Sequence, residues 1–299
     1  MIKTVLGEIK PEDVGVTLSH EHICNVSEYA YRMMKEDYLD KAALAAYAIK
    51  HLKDIKEKYG LNTFVDCTPI NLGRDTELLK RISEGAKINI VCSTGFYFNY
   101  EPLLFKASSD LVAKYIISDI KASGVGAIKC AVDQEGVDEY QKKMLSASAK
   151  AHLETGIPII MHTNAKRKNA ELGLEILLSE GVRAECVTVG HLSDTDDVDF
   201  ICKIARYGCY IGLDRLYNDT SDEYIEEKVE TINELCHKGY GDKILLSHDD
   251  QFFNGFDKEP KIKEQTRFTY CFDHILPRLS KDQSDKIIIH NPKNALNLK

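Results

Sequence analysis

The first residues that could do chemistry are two histidines separated by one residue, in the segment His20-Glu21-His22. They end an apolar, β-branched run over 14–22 that predicts a β-strand. Because successive side chains of a strand point to opposite faces, His20 and His22 share one face and Glu21 lies on the other. Two imidazoles on one face can bind one metal ion together.

Four more residues of ligand type lie at or near the ends of later predicted strands. They are Lys129, His162, His191 and Asp249. A single buried histidine is more often packed in a core than bound to a metal. Six ligand-type residues at the same end of successive strands are hard to place by chance in a chain with 10 histidines. We therefore predict that these four and the two histidines of the first strand form one metal site.

Lys129 differs from the other five because an ammonium repels a divalent cation. In one interpretation it forms a buried salt bridge. In the other, its amine adds carbon dioxide and becomes a carbamate, whose two oxygens can bridge two metals about 3.5–4 Å apart. The residues alone leave both alternatives open.

The elements that must position these residues alternate regularly along the chain. Eight short apolar runs are predicted strands: 14–22, 62–67, 89–94, 126–131, 157–162, 186–191, 208–213 and 243–249. The stretches between them have helical periodicity, as in 40–60, which ends at Gly60 like a glycine-capped helix. Eight such units predict an α/β fold, a (β/α)8 TIM barrel, whose reactive groups lie at the carboxyl ends of the strands. An open nucleotide-binding sheet is disfavoured, since no glycine-rich phosphate loop follows the first strand.

We expect a single (β/α)8 barrel domain over 1–299, with a hairpin over 1–13 and a closing tail over 277–299. A net charge of −8 disfavours nucleic acid or an anionic membrane as the main partner. The longest apolar run, 42–49, is far shorter than the roughly 20 residues that span a bilayer. The 9 cysteines form no C-x-x-C pair, so we interpret them as small buried side chains and expect a cytoplasmic protein.

Six segments then point to one family. GVTLSHEH, IKCAVDQEG, MHTNA, GHLSDTDD, SHDD and the closing NPKNAL occur in the order in which they resemble the phosphotriesterase family of the amidohydrolase superfamily. The resemblance implies a metal-dependent hydrolase with two divalent ions, zinc in the first place and manganese, cobalt or iron as alternatives. The implied ligands are His20, His22 and Asp249 for the buried metal and His162 and His191 for the exposed metal, with N6-carboxylated Lys129 and a hydroxide bridging both.

The same resemblance implies which residues accept the proton that the nucleophile releases. Two cations that share a water lower its pKa and give a nucleophile at neutral pH. Asp249 would take the proton as this nucleophile adds, and Asp194 would pass it outward. A plain helix N-cap in SDTDD is the alternative role for Asp194.

Two residues favour a lactone as the substrate. Tyr97 follows the third predicted strand, where lactonase-like members of the family carry a tyrosine, and Arg215 follows the seventh, where triesterases carry a histidine. The alternatives are that Tyr97 is only an aromatic in an apolar loop, and that Arg215 pairs with Asp214 at the barrel rim.

Arg267 and Tyr270 refine this expectation to a phosphorylated sugar lactone. They are three residues apart, so on a helix they would share a face, and their R-F-T-Y spacing resembles a branch of the family in which such a pair holds a phosphate. A solvated basic stretch is the alternative. Lys166, Arg167 and Lys168 replace a glycine-containing turn of the family, and they either add charge at the mouth or are solvated.

The sequence therefore predicts a hydrolase that opens a lactone ring of a small molecule. Hydrolysis of phosphotriesters or of other esters and amides at the same metals is the second possibility, and a non-catalytic barrel that binds metal and ligand is the third. The family resemblance also implies a homodimer.

Overall fold

The computed structural model describes residues 1–133, 136–217 and 219–297. The chain begins with a hairpin in which β1 (Ile2–Thr4) pairs antiparallel with β2 (Gly7–Ile9). The central sheet follows, and its strands are β3 (Val16–Asn25), β4 (Leu61–Asp66), β5 (Asn89–Gly95), β6 (Ala127–Ala131), β7 (Ile159–His162), β8 (Val187–Val189), β9 (Tyr210–Leu213), β10 (Ile244–Leu246) and β11 (Gln251–Asn254).

All pairs in this central sheet are parallel, in the order β10, β9, β8, β7, β6, β5, β4, β3, β11. Consecutive strands thus lie side by side around the sheet, and helices connect them. The α/β barrel predicted from the sequence is confirmed. Its strand ends meet at one edge, where a parallel barrel gathers its functional side chains.

Helices follow the strands. They are α1 (Glu28–Met34), α2 (Lys41–Tyr59), α3 (Thr76–Ala86), α4 (Pro102–Phe105), α5 (Ser109–Ser123), α6 (Glu139–Thr155), α7 (Ala170–Ser179), α8 (Val198–Ala205), α9 (Asp222–His237), α10 (Lys281–Asp285) and α11 (Asn291–Leu296). Among the described residues, no helix combines the length and the apolar composition that crossing a bilayer requires.

Helix α2 shows how the sequence makes these elements. Asp40 caps its amino end by accepting hydrogen bonds from the N atoms of Ala42 and Ala43. Gly60 ends it with a φ of 74°, which glycine adopts without steric cost. Leu44 and Leu52, which lie on one face two turns apart, are fully buried. Burying each leucine contributes about 2 kcal/mol, which fixes the helix against the barrel.

The eighth strand is divided, which differs from the predicted strand over 243–249. Strand β10 ends at Leu246 and pairs with β9, whereas β11 pairs with the first barrel strand, β3. Between them the barrel closes through other bonds: His20 N donates to Ser247 Oγ, and Asp249 N donates to His20 O. The break lets Asp249 and Asp250 line the cavity.

The carboxyl-terminal segment covers the opposite end of the barrel. Asn291 Nδ2 donates to Ile244 O at 2.8 Å, and Leu296 packs in a small cluster with Ile2 and Val14. Residues 298 and 299 of the predicted tail lie outside the described residues, as do 134 and 135 of the segment IKCAVDQEG.

Candidate metal centre

The two histidines of β3 are each held at their Nδ1 atom. His22 Nδ1 lies 2.8 Å from Thr68 Oγ1, and His20 Nδ1 lies 2.7 Å from Asp214 Oδ2. Because a partner at Nδ1 fixes the orientation of an imidazole, Nε2 of both rings is available to a metal. Asp249 Oδ1 lies 3.1 Å from Nε2 of His22 and 3.6 Å from Nε2 of His20. These three side chains therefore converge as the spacing on the strand predicts.

Asp214 holds two histidines at once. Besides its contact with His20, it accepts hydrogen bonds from Nδ1 of His191 at 2.8 Å and from its backbone N at 2.9 Å. A side chain at Gly190 would press on the His20 ring and on this carboxylate, so glycine makes room for the network. Burial raises the pKa of Asp214, but His191 and His20 outweigh it and hold that pKa well below its usual range. The carboxylate thus orients both imidazoles.

Asp214 was not predicted from the sequence to be part of the site. Its place directly after β9, in the segment IGLDR, was the signal that could have found it. The interpretation that it pairs with Arg215 at the rim is wrong, because Asp214 is buried and bonded to the histidines.

Asp249 lies in a turn whose backbone is hydrogen-bonded to Glu21. Its backbone has a φ of 52°, in the left-handed region that is strained for a residue with a side chain. Glu21 accepts hydrogen bonds from the N atoms of His248 and Asp250, on either side of Asp249, and also from Ser247 Oγ and His248 Nδ1. The acid between the two histidines of β3 therefore fixes the turn, a role that sequence reasoning missed.

Lys129 lies on β6 with its side chain buried. Its Nζ is 2.6 Å from His20 Nε2, the atom left free for a metal. Within the described ranges, no carboxylate forms an ion pair with it, so the salt-bridge interpretation is wrong for this part of the chain. Burying an ammonium without a carboxylate is costly, and a carbamate on Nζ would remove that charge and offer two oxygens to cations.

His162 and His191 form the other side of the site. Their ring centroids are 4.4 Å apart. His162 ends β7, whereas His191 lies two residues beyond β8 with a φ of 64°, because Asp214 holds its backbone and its ring. His191 Nε2 is buried and has no hydrogen-bond partner among the described residues. A metal ion would satisfy this nitrogen.

Tyr97 lies beside this second group. Its hydroxyl is 3.5 Å from His162 Nε2. The turn that carries it starts at Gly95, where any side chain would overlap the carbonyl oxygen of Lys129. Burial raises the pKa of Tyr97, so the phenol stays protonated and can donate a hydrogen bond.

Burial also decides the charge of the histidines. It lowers the pKa of His20 and His191, and it lowers the pKa of His162 to about 4. A metal binds the neutral imidazole, so these rings are in the binding form at neutral pH.

Arg215 lies between two carboxylates at the rim. Its Nε donates to Asp249 Oδ2 at 2.7 Å, and its Nη1 donates to Asp194 Oδ2 at 2.8 Å. Burial opposes ionisation of Asp249, but His191 and then Arg215 hold its pKa well below the usual range. Burial raises the pKa of Asp194, which Arg215 only partly offsets. Helix α8 is capped by Asp197, so the N-cap alternative for Asp194 is wrong.

A cavity of about 660 Å³ opens above these residues. His22, Lys129, His162 and Asp249 lie in its floor, and Tyr97, Arg215, Lys263 and Arg267 lie in its wall. The guanidinium of Arg267 stacks 4.4 Å above the ring of Tyr217. The cavity is large enough for a small organic substrate over the ligand groups.

Tyr270 does not join Arg267 there. Its hydroxyl donates to Asp219 O at 2.5 Å. The expectation that both lie on one helix face is wrong, because Arg267 precedes the helical segment that starts at Tyr270. Asp250 Oδ2 accepts from Arg267 N and holds that residue outside the helix.

The basic triplet joins neighbouring loops. Arg167 Nη1 donates to Asp133 O at 2.8 Å, and Lys168 Nζ donates to Asp197 Oδ2 at 2.7 Å. All three side chains of the triplet are exposed, as the solvated alternative expects, and these two also bond to neighbouring loops.

The donor set fits a divalent metal. Ligand atoms of His20, His22 and Asp249 lie within 4.8 Å of one another, as do those of His20, His191 and Asp214. Imidazole with carboxylate is the set that zinc, manganese, iron and cobalt accept. Because Asp214 faces Nδ1 atoms while the Nε2 atoms point elsewhere, we interpret it as an orienting group. His162 belongs to neither group in the described part of the chain.

Comparison with known proteins agrees with this geometry. A family model described as the phosphotriesterase family matches residues 1–296. The chain is 33% identical to a protein named aryldialkylphosphatase from Saccharolobus solfataricus, over 95% of this chain and 96% of that protein. It is 29% identical to a phosphotriesterase homology protein of Mycobacterium tuberculosis, over 98% and 96% of the two chains.

A more distant relative is named for another activity. The chain is 25% identical to an N-acetyltaurine hydrolase of Pongo abelii, over 100% of this chain and 98% of that protein. All three matches extend over nearly the full length of both partners, as does the family model. The chain therefore belongs to the phosphotriesterase family of metal-dependent hydrolases.

Proposed function

We propose that the protein is a binuclear hydrolase that opens the lactone ring of a phosphorylated sugar lactone. The observation that carries this proposal is the convergence of imidazole Nε2 atoms and Asp249 on one cavity, between the phenol of Tyr97 and the guanidinium of Arg215. The phosphate group on the substrate is the more specific part of the proposal, and it depends on Arg267.

The proposed ligands are those that the family resemblance implies. His20, His22 and Asp249 would hold the buried metal, His162 and His191 would hold the exposed metal, and N6-carboxylated Lys129 would be shared between them. Support comes from the free Nε2 atom of His191 and from the burial of Lys129 without an acidic partner in the described ranges. Zinc is the first candidate metal, ahead of manganese, cobalt and iron.

When bound, the two cations supply a nucleophilic hydroxide and polarise the carbonyl oxygen of the substrate. Asp249 takes the proton of the nucleophile at Oδ1, the oxygen beside the two histidines of β3. Arg215 joins Asp249 to Asp194, whose raised pKa suits a group that receives the proton and releases it outward. Tyr97 donates to the substrate oxygen from the side of His162.

The phosphate would lie against one wall of the cavity. A guanidinium can meet two phosphate oxygens at once, and Arg267 is fixed in place by stacking on Tyr217 and by its backbone bond to Asp250. Lys263 lines the same cavity, where its ammonium is paired with Asp250. Tyr270 then acts from outside the cavity, by holding the segment that carries Arg267 against Asp219.

Hydrolysis of phosphotriesters or of amides at the same metals is the second candidate. It is favoured by the names of two relatives, aryldialkylphosphatase and N-acetyltaurine hydrolase. The lactone is preferred because Tyr97 and Arg215 both face the metal groups.

We also propose that the whole chain acts as one catalytic domain, as a homodimer and in the cytoplasm. The dimer depends on the family resemblance alone. The location is supported by the nine cysteines, all of which are free thiols.

The test is a substrate panel measured with the same preparation. Initial rates are compared for paraoxon-like esters, N-acyl amino acids, plain lactones and phosphorylated sugar lactones. The proposal predicts the highest kcat/KM for a phosphorylated lactone. A higher value for a triester or an N-acyl amino acid would overturn it in favour of the second candidate.

A further inference from the structure

Asp133 is an acidic residue at the metal centre that the ligand set does not use. It lies two residues beyond the end of β6, the strand that carries Lys129. Its Oδ1 atom is 3.3 Å from His162 Nε2. This nitrogen is the one that His162 would offer to the exposed metal, so the carboxylate already points at the place where a cation would be bound.

Two neighbouring side chains hold Asp133 in position. Arg167 Nη1 donates to its carbonyl oxygen at 2.8 Å, and Asn164 Nδ2 donates to Oδ1 at 3.3 Å. Both partners belong to the loop that follows β7 and His162. The loop of β6 and the loop of β7 are therefore tied together with the carboxylate between them. Part of the basic triplet thus serves to hold an acid in place.

The charge balance at the exposed metal also favours a carboxylate ligand there. Two neutral imidazoles with a shared carbamate and a shared hydroxide would leave about half of the charge of a divalent cation uncompensated on that side. A carboxylate oxygen is a good ligand for each of the candidate metals. The side chain of Asp133 is 28% exposed, so it can shift towards a cation without breaking a packed core.

We propose that Asp133 is an additional ligand of the exposed metal, at the His162 side of the site. The inference rests on the proposed binuclear function, because it needs an ion at His162 and His191. With that ion bound, His162 Nε2 would be one of its ligands, and Asp133 would bind the cation in place of its contact with the ring. The exposed site is expected to be the weaker of the two, because its imidazoles carry no charge whereas the buried site has Asp249. Asp133 would therefore add affinity to the weaker site and leave the buried site unchanged.

The experiment measures zinc affinity in the full chain. Metal is removed with a chelator, and zinc is titrated back against a chromophoric competitor, for the wild type, Asp133→Asn and a matched control. Asp138→Asn is that control, since it removes the same charge from the same loop. Asp138 caps α6 by accepting from Gln141 N, and asparagine caps a helix equally well.

In Asp133→Asn, the dissociation constant of the weaker zinc should rise about 10- to 100-fold, while that of the tighter zinc stays within about twofold. Asp138→Asn should match the wild type at both sites. With cobalt in place of zinc, the visible absorption of the second equivalent should change in Asp133→Asn alone. If Asp133→Asn does not fold, Asp133→Ser is titrated in the same way.

Wild-type affinity for both zinc ions in the Asp133 variant would overturn this inference and leave the proposed function standing. A wild type that binds fewer than two zinc ions would overturn both. The two failures are therefore distinguishable in one titration series.

Discussion

Replacing Glu21 with glutamine tests whether the acid between the metal-binding histidines holds the turn of Asp249. The carboxylate accepts four hydrogen bonds: from Ser247 Oγ at 2.7 Å, from His248 Nδ1 at 2.7 Å, from His248 N at 2.9 Å and from Asp250 N at 3.1 Å. Glutamine keeps one acceptor oxygen and turns an NH2 group towards the remaining donors. At least one buried N–H, that of Asp250, would then lose its partner.

The size of the effect follows from these contacts. A buried donor without an acceptor costs about 1–3 kcal/mol, and each remaining bond weakens by roughly 1 kcal/mol when its acceptor loses its charge. Burial raises the pKa of Glu21, because the charged form is unfavourable in the interior. Removing this charge therefore offsets part of the loss. We expect a net loss of about 3 kcal/mol in the free energy of unfolding.

Urea unfolding of the metal-free protein measures this loss, and kcat/KM of the zinc-loaded variant measures the misplacement of Asp249. Glu77→Gln is the control, because Glu77 is 80% exposed and pairs with Lys80 at 2.7 Å on the surface of α3. It should stay within about 0.5 kcal/mol of the wild type. The reasoning is refuted if Glu21→Gln is equally harmless and keeps full activity.

Three further predictions concern the site. Asp214→Asn should weaken zinc binding about 10- to 100-fold, measured by competition with a chelator, because His20 and His191 lose the acceptor that orients them; unchanged affinity would contradict its orienting role. Arg267→Met should reduce kcat/KM for a phosphorylated lactone about 10- to 150-fold and spare the unphosphorylated one, since a charge-assisted bond contributes about 1.5–3 kcal/mol; an equal loss on both substrates would make the arginine structural. The metal-free protein should lose stability as the pH falls from 6.5 towards 4, because His162 has a pKa of about 4 when folded against 6.5 when unfolded. Between these two pKa values the unfolded state binds one more proton than the folded state, so the free energy of unfolding should fall by up to about 1.4 kcal/mol per pH unit. Urea unfolding measures this, and a flat profile over the range would contradict the buried neutral ring.

The sequence predicted the parts of the fold that depend on local periodicity. The two-residue period of the first strand places His20 and His22 together, and the alternation of strands and helices predicts the barrel. Both follow from side-chain direction and from the burial of a parallel sheet by helices.

Features that depend on contacts between distant segments were missed. Asp214 matters because β9 brings it under His20, which is 194 positions earlier in the chain. The eighth strand breaks because Glu21, on the first strand, binds the backbone beyond it. The spacing of Arg267 and Tyr270 suggested a shared helix face, yet the bond from Arg267 N to Asp250 keeps the arginine before the helix. Of these residues, only Asp214 had a local signal, its place directly after a predicted strand. The other contacts join segments that local sequence does not connect.

The central claim is that two metal ions, held by the strand-end ligands, carry the hydrolysis. The most direct measurement is metal content and lactone hydrolysis on the same sample, before and after chelation and after zinc is returned. The account predicts about two divalent ions per chain, activity lost with the metals and restored with zinc, and both lost in His162→Ala and Lys129→Ala. A metal-free preparation that hydrolyses lactones at the full rate would contradict it.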